Sequence, residues 1–255
     1  MRMRQVLAYA SALWPTLENF YTKRTMITAI LFDLDGTLVH HDDALIPGLL
    51  AEWGYIRDYA AVKEAVAHSI YHFYNHIRQA EEQDWVEELF RDFYHLTLKN
   101  LDVPDADMSY ATAMREYFHA APLTPLFDDV APVLEQLHEA DYRMGVITQR
   151  GRAGAEHYLR RHGIHRHFDV LVAGDDGNGR KPTAAPFHYA LAQLGVPGES
   201  AVYIGDRIDD DCEGAREAGL SNAFLIDRDN VFAVEAAARR DFVHLTDLRE
   251  LFEHL

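Results

Sequence analysis

Cysteine is almost absent from this chain, since Cys212 is the only one among 255 residues. A single thiol excludes an internal disulfide and any metal site built from several cysteines. Proteins without disulfides are typical of reducing compartments, so the composition favours a cytoplasmic location. Any metal site in this protein has to be built from other side chains.

Positive charge is also scarce. The chain carries 24 Lys and Arg residues against 41 Asp and Glu residues, which gives a formal net charge of -17. The overall electrostatic field repels nucleic acids and anionic membranes, so we expect neither as a partner. An anionic substrate would need a local basic pocket.

Long hydrophobic runs are missing as well, and no stretch is long and apolar enough to span a bilayer. The apolar run Val6 to Trp14 follows Arg2 and Arg4 and so resembles a secretory signal. However, Pro15 follows closely and no small-residue cleavage site comes after it. We expect a soluble protein in which residues 1–25 are an N-terminal extension of unknown role.

The rest of the chain switches between strand-like and helix-like patterns. Residues 40–120 have apolar side chains at helical spacing, which predicts an α-helical insertion. Apolar runs elsewhere predict strands at Ile27 to Phe32, Arg143 to Thr148, Phe168 to Ala173, Ala201 to Ile204 and Ala223 to Ile226. Helical segments, of which the last is Asp211 to Ala218, alternate with the later strands. This pattern favours an α/β fold with a Rossmann-like parallel sheet. This core would consist of residues 26–39 and 121–255.

The first predicted strand ends in a polar motif that a simple turn does not require. Asp33 and Asp35 follow the apolar run, and Gly36 and Thr37 come directly after them. Burying two carboxylates at the end of a strand is costly unless a cation or hydrogen-bond donors compensate. An Asp-Gly pair also occurs in ordinary turns, but a turn needs only one of these acids. We interpret the motif as part of a ligand or metal site.

Two other predicted strands end in polar residues. Thr148 closes the strand that starts at Arg143, and Asp206 follows Gly205 after the strand that starts at Ala201. Ligands of open parallel sheets bind beyond the carboxyl ends of the strands, so these side chains should converge with Asp33. Lys181 lies in the loop before a predicted helix and could point its ammonium group at the same place.

These motifs, in this order, resemble those of the haloacid dehalogenase superfamily of phosphatases and related hydrolases. The resemblance covers roughly Met26 to Ile226, and the helical insertion is similar to the cap domain of that family. Its motifs are Asp33-Leu34-Asp35-Gly36-Thr37, then Thr148, then Lys181-Pro182, then Gly205-Asp206 with the acids Asp209, Asp210 and Asp211.

The resemblance implies a role for each carboxylate. Asp33 would attack phosphorus and form an aspartyl-phosphate, and Asp35 would act as general acid and then as general base. A Mg²⁺ ion would be held by the side chains of Asp33 and Asp206 and by the backbone carbonyl of Asp35, since hard cations prefer oxygen ligands. A second acid of the last motif would complete the metal site, and it is Asp211 or Asp210, of which we favour Asp211.

The resemblance also implies that Thr148, Gln149 and Lys181 bind the phosphoryl group. The chain departs from the family pattern at two places. Gln149 and Arg150 stand where asparagine and glycine are often found, and Arg207 stands where serine is common. The first departure leaves open how the backbone after Thr148 meets the phosphate. Each arginine either attracts an anionic substrate or pairs with nearby acids.

The function we expect is therefore that of a Mg²⁺-dependent phosphatase acting on a small phosphorylated metabolite, as a monomer or a homodimer. The haloacid dehalogenases themselves lack an acid at the position of Asp35, so its presence favours phosphatase chemistry. A phosphosugar mutase, a dehalogenase-type hydrolase of the same fold and a non-catalytic binding protein remain alternatives. Neither periodicity nor composition identifies the substrate.

Overall fold

The computed structural model describes residues 26–77, 86–120 and 122–255. Within these residues, six parallel strands form one sheet in the order β3-β2-β1-β4-β5-β6. The strands are β1 (Ala29–Phe32), β2 (Arg143–Ile147), β3 (Val170–Val172), β4 (Ala201–Gly205), β5 (Asn222–Ile226) and β6 (Val243–Leu245). The predicted parallel α/β sheet is confirmed. The edge strand β6 was not predicted, because only Leu245 of its three residues is fully buried.

Strand β1 lies near the middle of the sheet, between β2 and β4. Its four side chains are completely buried because helices cover both faces of the sheet. Ile30 and Phe32 pack into the hydrophobic cluster on one face, whereas Ala29 and Leu31 pack into the cluster on the other. This alternation is the two-residue period of an extended chain, and it holds the carboxyl end of β1 at the centre of the sheet edge.

Helices flank the strands in the alternating order that the sequence predicts. The helices after the insertion are α5 (Val130–Glu139), α6 (Arg152–Arg161), α7 (Ala185–Leu194), α8 (Gly214–Glu217) and α9 (Ala233–Ala238). Nowhere in the described ranges is a helix both long and apolar enough to cross a membrane.

The helix predicted from Asp211 to Ala218 begins differently in the structure. A π-helical turn, Ile208–Glu213, precedes α8 and contains Asp211. The Asp211 carboxylate turns inward and accepts a hydrogen bond from the backbone N–H of Arg207 at 3.0 Å. A π-helical turn of this kind redirects side chains within a helix, which a count of helical periodicity does not detect.

Within the described part of residues 40–120, four α-helices form the insertion. They are α1 (Ile46–Glu52), α2 (Tyr59–Ile77), α3 (Val86–Asn100) and α4 (Ser109–His119). These helices pack around a hydrophobic cluster of their own, which includes Leu50, Val62, Leu98 and Met114. The insertion therefore has its own core, separate from the two clusters that cover the sheet.

Candidate active site

Polar residues from three neighbouring strands meet at one edge of the sheet. Asp33 follows β1, Thr148 follows β2 and Asp206 follows β4. Strand β1 pairs with both of the other strands, so their carboxyl ends are adjacent. The backbone N–H of Asp33 donates to the carbonyl of Ile204 at 2.8 Å, which extends the ladder to the base of the site. The structure thus brings together the strand-end residues that the sequence predicted to converge.

Lys181 is the cation at the centre of this site. Its Nζ donates to Asp33 Oδ1 at 2.6 Å, to Asp211 Oδ1 at 2.6 Å and to the hydroxyl of Tyr203 at 2.9 Å. The three hydrogens of an ammonium group are therefore all directed at oxygen atoms. Both Tyr203 and Asp211 are fully buried, and Lys181 is 7% exposed. Nothing in the sequence singled out Tyr203, which sits within an otherwise apolar strand.

Charge in this buried cluster shifts the ionisation of its members. Burial raises the pKa of Asp33 well above its usual value, against the opposing pull of the Lys181 charge, and the neighbouring Asp211 and Asp206 raise it further. Burial alone would lower the pKa of Lys181, but the charges of Asp211 and Asp33 raise it overall. Lys181 therefore stays a cation. The negative charge of the surrounding carboxylates exceeds the positive charge that Lys181 supplies.

Three carboxylates at this edge can share one cation. Asp33, Asp206 and Asp211 each offer an oxygen atom, and these atoms lie within 4.8 Å of one another. Two glycines leave room for them, because a Cβ at Gly36 would lie 2.4 Å from Asp206 Oδ2 and one at Gly205 would lie 2.2 Å from Asp211 Cγ. An all-oxygen set with excess negative charge fits a hard divalent cation such as Mg²⁺.

The two neighbouring acids of the last motif point in different directions. Asp211 points into the site and contacts Lys181, whereas Asp210 faces Arg207, whose Nε lies 3.1 Å from its Oδ2. Burial raises the pKa of Asp210, and the Arg207 charge opposes this shift. The arginine at position 207 thus pairs with acids outside the site.

Arg150 has a different partner from Arg207. Its guanidinium donates through Nε to both carboxylate oxygens of Asp35 at 3.2 Å, and its Nη2 lies 2.5 Å from Asp35 Oδ1. The same Nη2 donates to Asp42 at 3.1 Å, and the guanidinium lies over the ring of Tyr158 at 4.4 Å. This geometry fixes the orientation of the Asp35 side chain, a role that the sequence did not predict.

The two residues after β2 are held by backbone contacts. The buried hydroxyl of Thr148 accepts from the backbone N–H of Arg150 at 3.1 Å. Gln149 Nε2 donates to the backbone carbonyl of Lys181 at 2.9 Å, so its side-chain amide ties the loop of Lys181 to β2. The predicted contact of Gln149 with a phosphoryl group stays a prediction, and here its side chain supports the lysine.

His41 lies where the chain enters the helical insertion and contacts an acid of the site. Its Nε2 lies 2.9 Å from Asp206 Oδ2. Burial would lower the pKa of His41, but the hydrogen bond to Asp206 and the charges of Asp206, Asp43 and Asp35 raise it to about 9. A protonated imidazole thus faces the acids at the outer side of the site.

A second unpredicted contact holds the turn after β1. Arg228, in the loop after β5, donates through Nη2 to the backbone carbonyl of Thr37 at 2.8 Å and pairs with the buried Asp129. The Asp129 carboxylate also accepts from the backbone N–H of Leu248 at 2.6 Å. These contacts anchor the turn that carries Gly36, whose φ of 78° lies in the region that glycine adopts without strain.

Comparisons with known proteins point in one direction. A family model of haloacid dehalogenase-like hydrolases matches residues 27–219. The chain is 30% identical over 204 residues to a glyceraldehyde 3-phosphate phosphatase of Methanopyrus kandleri, which covers 76% of this chain and 82% of that relative. It is also 28% identical over 220 residues to the tyrosine-protein kinase PtkA of Mycobacterium tuberculosis, covering 85% of this chain and 65% of that protein.

The fold has counterparts among solved structures. A crystal structure of the HAD-hydrolase YfnB from Bacillus subtilis, described as bound to magnesium, superimposes with a TM-score of 0.64 at 19% sequence identity. The match covers 89% of this chain and 98% of that one. At this identity the likeness concerns the fold, and the assignment of chemistry depends on the residues of the site.

Proposed function

The chain belongs to the haloacid dehalogenase-like hydrolase family, and on that premise we propose that it is a Mg²⁺-dependent phosphatase that hydrolyses a small phosphorylated metabolite through an aspartyl-phosphate. The observation that carries this proposal is the contact of Lys181 with both Asp33 and Asp211 at 2.6 Å beside Thr148 and Asp206. This arrangement supports the proposal, because a carboxylate, an ammonium group and a set of oxygen atoms that could hold a metal surround one point.

In the first step, a carboxylate oxygen of Asp33 forms a bond to phosphorus while the bond from phosphorus to the leaving oxygen breaks. Asp35 gives its proton to that oxygen, so the alcohol departs neutral. In the second step, water attacks the phosphorus of the aspartyl-phosphate and gives a proton to Asp35. As the water oxygen bonds to phosphorus, the bond from phosphorus to the Asp33 oxygen breaks, inorganic phosphate leaves, and both aspartates return to their starting states.

Charge on the phosphoryl group must be balanced in a site that is rich in acids. Lys181 and the hydroxyl of Thr148 are the donors we assign to the phosphoryl oxygens. The side chains of Asp33, Asp206 and Asp211 and the backbone carbonyl of Asp35 are the groups we assign to Mg²⁺. When bound, the ion would supply positive charge that lets a phosphate dianion approach these carboxylates.

Arg150 adds a positioning role. Asp35 accepts from the guanidinium through both of its oxygens, so the carboxyl group is held in one orientation. Glycine, which is frequent near this position in the family, has no side chain for such a contact. We therefore assign Arg150 to the positioning of the general acid and base.

The helices of residues 40–120 form the cap in this proposal, and they would supply the contacts that select the leaving group. Lys63 of α2 pairs with Asp229 of the loop after β5, which joins the insertion to the core across the mouth of the site. A single cysteine and a strongly acidic composition favour work in the cytoplasm. That the protein is a monomer or a homodimer stays a prediction.

The test is phosphate release by the purified full chain from a panel of phosphorylated metabolites, with Mg²⁺ and with a chelator in its place. We expect release only with Mg²⁺, and we expect Asp33→Asn to lower kcat about a thousandfold or more, since the covalent step needs a carboxylate. Asp141→Asn is the matched control, because Asp141 lies in an exposed turn whose positive φ suits asparagine.

Three outcomes would contradict the proposal. Equal release by the Asp33→Asn variant would reject the nucleophile, and release that is unaffected by the chelator would reject the metal. Transfer of the phosphoryl group from ATP to tyrosine, or rearrangement of a sugar phosphate without release of phosphate, would assign a different reaction to the same site.

A further inference from the structure

Two short segments connect the helical insertion to the sheet, and they pair with each other. We call residues 38–42 the entry segment and residues 122–127 the exit segment, because the chain enters and leaves the insertion through them. Val39 of the entry segment and Leu126 of the exit segment form an antiparallel bridge. This pairing joins the two ends of the insertion at the edge of the core.

A buried tyrosine of the core lies where these two segments meet. Tyr158 of α6 is fully buried and packs within the hydrophobic cluster on one face of the sheet. Its hydroxyl lies 3.2 Å from Asp42 Oδ1 in the entry segment and also donates to the backbone carbonyl of Pro122 in the exit segment. A hydroxyl has one proton, so these two acceptors share it. Tyr158 therefore contacts both ends of the insertion.

Tyr158 also contacts Arg150, and it does so by two routes. Its ring lies under the guanidinium, with Arg150 Cζ 4.4 Å from the ring centroid. Its hydroxyl shares Asp42 Oδ1 with Arg150 Nη2, which donates to that oxygen at 3.1 Å. The Arg150 side chain is only 18% exposed, and a cation that is largely removed from water is attracted to the face of an aromatic ring. The ring and the shared carboxylate together fix the plane of the guanidinium.

The guanidinium that Tyr158 fixes is the group that orients Asp35. Nη2 of Arg150 lies 2.5 Å from Asp35 Oδ1 and 3.1 Å from Asp42 Oδ1, so one nitrogen joins an acid of the site to an acid of the entry segment. An arginine side chain has several rotatable bonds, and contacts along it are needed to hold its planar end in one place. Tyr158 thus acts on Asp35 through Arg150.

We propose that Tyr158 is a positioning residue for the general acid Asp35 and acts through Arg150 and Asp42. The inference rests on the proposed phosphatase function and adds a residue to it. While Tyr158 holds the guanidinium, Asp35 keeps the orientation from which it protonates the leaving oxygen. Without Tyr158, Arg150 and Asp35 adopt further orientations, and proton transfer becomes slower. Because Tyr158 also binds both connecting segments, the same contacts link proton transfer to the attachment of the insertion.

The first test compares two phosphate esters that differ in their need for a proton. Propyl phosphate expels a strongly basic alkoxide unless Asp35 protonates it, whereas p-nitrophenyl phosphate expels a phenolate that needs no proton. Tyr158→Leu removes the ring under Arg150, so kcat for propyl phosphate should fall about 2- to 30-fold. For p-nitrophenyl phosphate, kcat should change less than about twofold. KM should change little for either ester, because the groups that contact the phosphoryl oxygens are unaltered.

Two further variants separate positioning from a structural role. Tyr158→Phe keeps the ring in the core and removes only the hydroxyl, and kcat for propyl phosphate should still fall about twofold or more. His162→Phe is the matched control. His162 Nε2 lies 2.8 Å from the backbone carbonyl of Thr124 in the exit segment, so this variant also keeps a ring and loses a contact to that segment. It should affect the two esters equally.

The second test needs no turnover and measures the coupling between Tyr158 and Asp35 directly. Urea titrations in metal-free buffer give the free energy of unfolding of the wild-type protein, Tyr158→Phe, Asp35→Asn and the double variant. Because Arg150 links the two positions, the unfolding equilibrium constant of the double variant should deviate from the additive expectation by about twofold or more. The same cycle with His162→Phe in place of Tyr158→Phe should be additive.

The outcomes separate this inference from the phosphatase function. Equal losses for both esters in the Tyr158 variants would make the tyrosine a structural group, and additive unfolding energies would sever it from Asp35. Either result would overturn the inference. A selective loss for propyl phosphate together with a non-additive cycle would support it. Absence of phosphate release from every ester by the wild-type protein would count against the phosphatase function, and the cycle would still decide whether Tyr158 acts on Asp35.

Discussion

Replacing Tyr203 with phenylalanine removes one hydroxyl group from beneath Lys181 and changes little else. That hydroxyl accepts from Lys181 Nζ at 2.9 Å and has Asp211 Oδ1 at 3.1 Å and the backbone carbonyl of Ile147 at 3.2 Å as acceptors for its single proton. In the variant, one hydrogen of the buried ammonium has no protein acceptor among these groups. We expect Lys181 to be held less firmly against Asp33.

The magnitude follows from the type of hydrogen bond. Hydrogen bonds that involve a charged group contribute about 1.5–3 kcal/mol to the free energy of unfolding, and a buried donor without an acceptor lowers it by about 1–3 kcal/mol. For a chain of this size, each kcal/mol lowers Tm by about 2–4 °C, so we expect a fall of about 2–12 °C. If the transition state loses roughly 1.4 kcal/mol or more of stabilisation in the variant, kcat falls about tenfold or more.

The assay measures kcat and KM for phosphate release together with the Tm of each variant. A tyrosine that positions Lys181 should affect kcat more than KM, because the bond to the phosphoryl oxygens strengthens in the transition state. Phe187→Leu is the matched control. Its ring packs against Tyr203 at 5.0 Å and is fully buried, so it should lower stability by about 1–2 kcal/mol without touching Lys181.

One result would refute this reasoning. If Tyr203→Phe turned over substrate at the wild-type rate while its Tm fell as far as that of Phe187→Leu, the hydroxyl would be a structural group with no part in orienting the lysine. Wild-type values of both kcat and Tm would show that water replaces the hydroxyl at no cost.

Three further predictions concern other residues of the site. Arg150→Gln should lower kcat at least tenfold for an alkyl phosphate and less for p-nitrophenyl phosphate, whose leaving group needs no proton from Asp35; equal losses for both esters would contradict the positioning role. Asp211→Asn should raise the Mg²⁺ concentration for half-maximal activity about tenfold or more, whereas Asp210→Asn should change this concentration less than about twofold. A larger effect of Asp210→Asn in the Mg²⁺ titration would assign the metal ligand to Asp210 instead. The pKa of His41 is raised from 6.5 to about 9, so its protonated form stabilises the fold fully below pH 6.5 and this contribution is lost as the pH rises through about 9. In metal-free buffer, Tm should therefore fall more steeply between these pH values in the wild-type protein than in His41→Gln, and parallel curves would argue against the pair.

Much of the fold was predictable because its signals are local. The apolar run before Asp33 and the alternation of strands and helices after residue 121 each depend on neighbouring residues, and they predicted the parallel sheet. The edge strand β6 was missed because only one of its three residues is fully buried, so it produces no clear apolar run. The turn at Asp211 was misjudged because a π-helical turn has almost the same local pattern as an α-helix.

Within the site, the sequence identified groups that carry their chemistry in the chain itself. Carboxylates after a buried strand, a threonine at the next strand end and a lysine before a helix are recognisable by type and order. Tyr203, His41 and Arg228 were not recognisable in this way. Each is an ordinary residue until its partner is known, and the partners lie far away along the chain.

The sequence by itself determined the fold class, the order of the catalytic motifs and the kinds of side chain available to a phosphoryl group. Only the tertiary structure decided which of them pair. Lys181 meets Asp33 across 148 residues, and Arg150 meets Asp35 across 115. Such pairings arise from the register of parallel strands and the packing of the insertion on the core. No short-range pattern encodes them, because the energy that selects them comes from contacts between distant segments.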